Sequence, residues 1–165
     1  MTSSAMQQLY QQIILDHAKS AHGSVAALPA LDAGTATGAS GTEVRLAQSH
    51  QVNTTCGDEV TVRVALSGSG ADARIDGFTW RGAGCSISMS SASVLHDTVL
   101  NTSVAEAEAM LDLFREMLRS RGTIEPDEEV MGDAAAFAGV SKYPARVKCA
   151  MLPWVAFEAA LLQLR

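Results

Sequence analysis

Residues 59–81 read EVTVRVALSGSGADARIDGFTWR, and this stretch decides the fold class. In EVTVRVAL (59–66), Val60, Val62, Val64 and Leu66 share one face, because successive side chains of a strand point to opposite sides. GSGAD (68–72) is turn chemistry. Residues 73–81 then carry Ile75, Phe78 and Trp80, a second strand with an apolar face. Two such runs around a short turn make an antiparallel hairpin. Upstream, Val44, Leu46, Gln48, His50 and Val52 alternate weakly, as an edge strand does. The first half therefore predicts a small antiparallel sheet of about three strands.

Outside the sheet the pattern is helical. Met6, Leu9, Tyr10, Ile13, Ile14 and His17 recur at helical spacing over 6–18. Residues 20–43, rich in Ala, Gly, Ser and Thr and holding Pro29, read as a long loop. A helix is expected from near Cys85 to about Leu100. Ser103 to Glu106 matches a capping box, and Leu111, Phe114 and Leu118 continue a helical stripe. Arg121-Gly122 ends that helix, and Pro126 opens a short acidic segment running through Gly132-Asp133 to Gly139. A last helix after Tyr143-Pro144 carries Val147, Met151, Trp154, Val155 and Leu162, with Pro153 expected to disturb its first turns. Strands first and helices after define an α+β domain spanning 1–165.

The chain has 165 residues, with a formal net charge of -6. That length suffices for one ordinary core. No run of Lys or Arg offers the basic patch that nucleic acid requires. No segment is apolar for the length of a bilayer, and the N-terminus lacks the pattern of a secretory signal, so the expected compartment is the cytoplasm. Three cysteines, an odd and widely spaced set, do not make a disulfide framework there.

Those cysteines occupy similar surroundings. Cys56 lies in VNTTCGDEV, in a turn before the cleanest strand. Cys85 follows Gly82-Ala83-Gly84 at a helix start, and Cys149 lies in ARVKCAMLPW, close to the start of the last helix. A helix N-terminus favours negative charge and so a thiolate. Taken singly, each cysteine reads first as a small buried apolar residue. Asp58 changes the weighting: two residues after Cys56 in an extended segment, it would point to the same side. Cys56, Asp58, Cys85 and Cys149 then offer three sulfurs and one oxygen, a number and softness that suit tetrahedral zinc. Spacing alone leaves buried, reactive and metal-bound thiols all open, because no CxxC pair is present. His17, His22, His50 and His96 lie in no motif and read as satisfied histidines. Asp133 reads as a helix cap. The serines at 86, 88, 90, 91 and 93 have no nucleophile elbow around them and read as polar groups that let the helix approach closely.

The segments CGDEV, GAGCSISMSSASV and ARVKCAMLPW, with LYQQIILDH near the start, resemble in order the motifs of the iron–sulfur cluster assembly proteins of the IscU/NifU N-terminal-like superfamily. The resemblance runs from about residue 6 to 162. It is nearest to the SufU-type branch. Lys148 stands where the scaffold branch has a histidine, and the capping-box helix with the acidic stretch 123–139 looks like the extra sequence of SufU-type chains. Thr54 replaces the usual proline before the first cysteine, which would loosen that turn.

The resemblance implies an α+β fold of a small sheet packed against several helices. It implies a zinc ion, Zn2+, on Cys56, Asp58, Cys85 and Cys149. It implies a sulfurtransferase whose partner is a SufS-type cysteine desulfurase containing pyridoxal phosphate. A histidine of that partner would take a place on zinc and release Cys56 to accept the persulfide sulfur, which then passes to a downstream iron–sulfur scaffold complex. Three thiolates and a carboxylate on Zn2+ carry a formal charge of -2, and Arg146, one turn before Cys149, is a candidate to offset it or simply a solvated helix charge. A scaffold building a transient [2Fe–2S] cluster on the same ligands is the alternative. A module with purely structural zinc, and more distantly a cysteine hydrolase, are the others.

Overall fold

The computed structural model describes residues 4–31, 35–37, 41 and 43–164. Helix α1 (Ser4–Ser20) leads into strands β1 (Thr35–Thr37), β2 (Glu43–Val52), β3 (Glu59–Ser67) and β4 (Arg74–Ala83). Helices α2 (Ser86–Val99), α3 (Val104–Arg119), α4 (Glu128–Met131) and α5 (Pro144–Gln163) follow, with a 3-10 segment over Gly132–Lys142 before the last. The four strands lie antiparallel in chain order. The α+β reading therefore holds: three long strands, plus a three-residue β1 inside the stretch read as loop. Among the described residues β1 pairs only with Arg45, Val44 and Glu43, so most of β2 is an edge, as expected, but its buried positions are Val44, Ala47 and Ser49 rather than the alternating set from Val44 to Val52.

The sheet buries one face. Val60, Val62, Val64 and Leu66 are fully or almost fully buried. Val62 pairs with Trp80, Val64 with Phe78 and Leu66 with Ile75. The apolar positions of β4 switch from even to odd numbers because the register slips between Ala65 and Leu66, which passes over Asp76 and keeps Ile75 on the core face. The other edge of the sheet is closed by residues 23–25: Val25 N–H donates to the Trp80 carbonyl at 2.9 Å and Trp80 N–H to the Gly23 carbonyl at 3.1 Å. The long loop is thus anchored at its start. Residues 32–34, 38–40 and 42 of it lie outside the described residues.

Helices α2 and α5 are packed in the interior, and small residues let them meet. Ser88, Ser90, Ser91 and Ser93 of α2 are fully buried. The Ser91 hydroxyl donates to the Ala150 carbonyl and accepts from Trp154 Nε1 at 3.0 Å, which ties α2 to α5. Trp154 stacks on Phe114 of α3 with ring centroids 4.2 Å apart. Ser103 caps α3, its hydroxyl accepting from Glu106 N–H at 3.1 Å, as the capping box predicts.

Three expectations are corrected. Pro153 does not disturb the start of α5: it sits at the tenth position of a helix that continues to Gln163. Cys149 lies in the second turn of α5 and is buried, so it is not at a helix N-terminus. Asp133 does not cap a helix; its carboxylate meets His17 Nε2 at 2.8 Å. No helix among the described residues is long and apolar enough to cross a membrane.

Candidate metal centre

Three separate elements bring the four sequence-predicted donors together. Cys56 is at the tip of the β2–β3 loop, Cys85 is the N-cap of α2, and Cys149 comes from α5. Cys56 and Asp58 do not converge through an extended segment. Gly57 takes a left-handed φ of 80°, so the chain turns between them, leaving Cys56 exposed and Asp58 buried. The turn is held by Asn53, whose carbonyl accepts from Gly57 N–H at 2.7 Å and whose side-chain oxygen accepts from Thr55 N–H at 3.1 Å. This Asx-type clasp supplies the rigidity that Thr54 was expected to lose.

Cys56 Sγ lies 3.8 Å from Cys149 Sγ. Cys85 Sγ lies 3.2 Å from Asp58 Oδ2. Donor atoms of Cys56, Asp58 and Cys149 all fall within 4.8 Å of one another. Around a tetrahedral zinc with Zn–S near 2.3 Å, two sulfurs sit about 3.8 Å apart, and a sulfur and a carboxylate oxygen about 3.6 Å apart. The sulfur–sulfur edge already has that length, and the sulfur–oxygen edge is short of it by about 0.4 Å. Cys56, Asp58 and Cys149 fit a zinc-class ion in softness and spacing, and Cys85, which lies outside that 4.8 Å group, approaches it at Asp58.

Asp58 is fixed by the start of α2. Cys85 N–H donates to Oδ1 at 3.2 Å, and the Ser88 hydroxyl donates to Oδ2 at 2.6 Å. Burial by itself would raise this carboxyl, but hydrogen bonds from Ser88, then from the cysteines, hold it below the usual carboxylate range. The helix N-terminus thus serves the carboxylate. Gly84 makes the approach feasible: a Cβ there would stand 2.6 Å from Asp58 Cγ. Cys149 behaves in the opposite way. Burial, then the neighbouring thiols and Asp58, pushes its thiol up to about 12. Four donors that repel as anions are what a divalent cation relieves.

Asn53 and Ser88 were missed in the sequence as contributors to the site. Asn53 Nδ2 stands 3.9 Å from Cys149 Sγ, and Ser88 Oγ 3.7 Å from Cys85 Sγ. A turn-favouring Asn next to the cysteine loop was the available signal for the first; Ser88 was legible only as one serine of a run. Arg146 is exposed, with its guanidinium 5.0 Å above the Tyr143 ring. Among the described residues no hydrogen bond or ion pair joins it to the four donors.

A small antiparallel sheet covered by helices carries a candidate thiolate–carboxylate metal site at the sheet end. Residues 9–150 match the model of the NifU-like N-terminal domain, and the chain belongs to that family. It is 31% identical over 161 residues to an iron–sulfur cluster assembly scaffold protein IscU of Streptococcus pyogenes, covering 98% of this chain and 87% of that protein. It is 37% identical over 107 residues to the zinc-dependent sulfurtransferase SufU of Bacillus subtilis, covering 64% of this chain and 68% of that one. Among solved structures, a SUF-system scaffold candidate from Fervidobacterium islandicum AW-1 superposes with a TM-score of 0.66 at 29% identity, over 96% of this chain and 99% of that one. These likenesses agree with the SufU-type resemblance and with the fold.

Proposed function

We propose that this chain is a zinc-dependent sulfur acceptor in iron–sulfur cluster assembly. Cys56, Asp58, Cys85 and Cys149 hold the ion, and Cys56 is the residue that takes sulfur. The observation that carries this reading is an asymmetry among the three cysteines. Cys149 is buried in α5, and Cys85, though exposed, is fixed as the N-cap of α2, whereas Cys56 is exposed at the tip of a loop turned by Gly57. Cys56 alone combines solvent access with a place in a loop rather than in or at the end of a helix.

Bound zinc would hold the thiols as thiolates near neutral pH. The Cys56 thiolate attacks the terminal sulfur of a persulfide on a partner cysteine desulfurase. A new Cys56 Sγ–S bond forms, the partner's S–S bond breaks, and the partner cysteine leaves as its thiolate. No external oxidant or reductant is needed. Asp58 is the hard ligand among soft ones, and its bonds to Cys85 N–H and Ser88 keep it ionised and oriented throughout. Likeness to the Bacillus subtilis sulfurtransferase supports the reading. Arg146 is the cation proposed to offset the anionic site as the partner docks.

The test is turnover of a SufS-type desulfurase with and without the zinc-loaded protein, with Cys56→Ser in parallel. Stimulation that disappears in Cys56→Ser supports sulfur acceptance; no stimulation by folded, zinc-replete protein rejects it. Likeness to the streptococcal scaffold over nearly the whole chain favours a second reading, assembly of a [2Fe–2S] cluster on the same donors. That reading expects a brown protein with stoichiometric sulfide after anaerobic reconstitution.

A further inference from the structure

Three of the four histidines, which the sequence leaves scattered, meet on one patch toward the other end of α2 from Cys85. His17 from α1 is buried between two partners: its Nε2 meets Asp133 Oδ2 at 2.8 Å and its Nδ1 meets Ser93 Oγ at 2.7 Å. His22 Nδ1 meets Asp97 Oδ2 at 2.7 Å, and His96 Nδ1 meets Asp97 Oδ1 at 2.9 Å. The His17 and His22 rings are 5.1 Å apart, edge to face. Donor atoms of His17, His22 and Asp97 lie within 4.8 Å of one another, as those of Cys56, Asp58 and Cys149 do.

We infer that His17, His22 and Asp97 form a second divalent-metal site, of the imidazole–carboxylate class that takes zinc, cobalt, nickel or copper. It goes beyond the proposed sulfur transfer and shares no donor with that site. The elements around it are prearranged as ligating groups require. Metal-bound imidazoles usually donate their other N–H to a carboxylate. Asp133 gives His17 that partner at Nε2, and binding at Nδ1 requires the buried Ser93 Oγ, which also accepts from His22 N–H at 2.9 Å, to turn aside. His96 occupies Oδ1 of Asp97 and so leaves Oδ2 facing His22. The His96 ring holds that position because residue 23 is a glycine: a Cβ there would stand 2.3 Å from His96 Cδ2. Segment 22–25 is itself pinned, since Trp80 Nε1 donates to the His22 carbonyl at 2.7 Å.

An ion would replace the proton shared by His22 and Asp97. A nitrogen and an oxygen on tetrahedral zinc lie about 3.4 Å apart, so this pair opens by about 0.7 Å while the proton of neutral His22 moves to Nε2. About half of the His22 side chain is exposed and two-fifths of Asp97, so water reaches the site and can fill a further coordination position. The two sites sit toward opposite ends of α2: Cys85 caps its start, and Asp97 lies twelve residues on, about 18 Å along the axis.

The experiment is a Co2+ titration of the untagged protein already carrying one equivalent of zinc. Thiolate-to-cobalt charge transfer in the near ultraviolet reports entry into the cysteine site, whereas an imidazole–carboxylate site gives weak visible bands alone. The expected result is one further saturable equivalent with visible bands and no charge transfer. His22→Ala and Asp97→Asn should each weaken it at least tenfold, and Asp133→Asn by about 10- to 100-fold. His22 is half exposed, so that variant does not depend on the buried His17 core. Charge-transfer growth alone, binding unaltered in the His22 and Asp97 variants, or non-saturating uptake, meaning an adventitious ion only, would each overturn the site.

Discussion

Replacing Ser88 with alanine isolates the contact that orients Asp58. Ser88 has no exposed surface, and its hydroxyl donates to Asp58 Oδ2 at 2.6 Å, the same oxygen that faces Cys85 Sγ. A hydrogen bond to a charged group contributes roughly 1.5–3 kcal/mol. Alanine recovers about 0.5 kcal/mol of helix propensity. The net loss in the metal-free protein is therefore about 1–2.5 kcal/mol, a fall of roughly 2–10 °C in Tm at this chain length. Zinc affinity should fall by about 10- to 100-fold, the usual effect of removing a partner from a metal ligand.

The pH dependence gives a second handle on the same contact. A carboxyl held low in the folded state stabilises it above the unfolded value near 3.9, and that contribution is lost as pH falls through the folded value. Without Ser88 the Asp58 carboxyl rises, and the acid-side loss of Tm becomes shallower. Denaturant unfolding of the metal-free protein and competition with a chromophoric chelator measure the two effects. Ser90→Ala is the control, because that equally buried hydroxyl donates within its own helix to the Ile87 carbonyl. Equal zinc affinities for Ser88→Ala and Ser90→Ala would show that the Ser88 contact does not orient Asp58 as a ligand.

Other outcomes follow from the same site and core. Gly84→Ala would place a Cβ 2.7 Å from Asp58 Oδ1; it should cost about 1–3 kcal/mol and weaken zinc binding, and a variant with unaltered chelator competition would show that the loop yields freely. The raised Cys149 thiol favours the protonated folded state, so stability of the metal-free protein is complete below the unfolded thiol value near 8.5 and declines from there toward about 12. Melting curves at pH 7.5 and 9.5 should differ for metal-free protein and much less for zinc-loaded protein. Arg146→Ala should slow sulfur acceptance while zinc stays bound, and unchanged transfer kinetics would leave its stacking on Tyr143 as its only role. Phe114→Ala removes the stacked partner of Trp154 and should cost about 3–5 kcal/mol in denaturant unfolding.

The features legible from residue order alone are local. Alternation in 59–66, the glycine-rich turn and the capping box each act over a few residues, and the strand pairing and α3 start follow them. The three cysteines and Asp58 were legible as donors because residue type sets softness and charge, and ordered motifs carried the family. The tertiary structure decided how they meet. Gly57 turns the chain where an extended segment was expected, and Asn53 staples the loop in place of the missing proline. Cys149 is a buried residue of a helix's second turn, a position that depends on where α5 packs against α2. Ser88, Asp133 and the meeting of His17, His22 and His96 join residues up to 116 positions apart. Such contacts have no local periodicity to betray them, since they depend on which faces of α1, α2 and the 3-10 segment the core brings together.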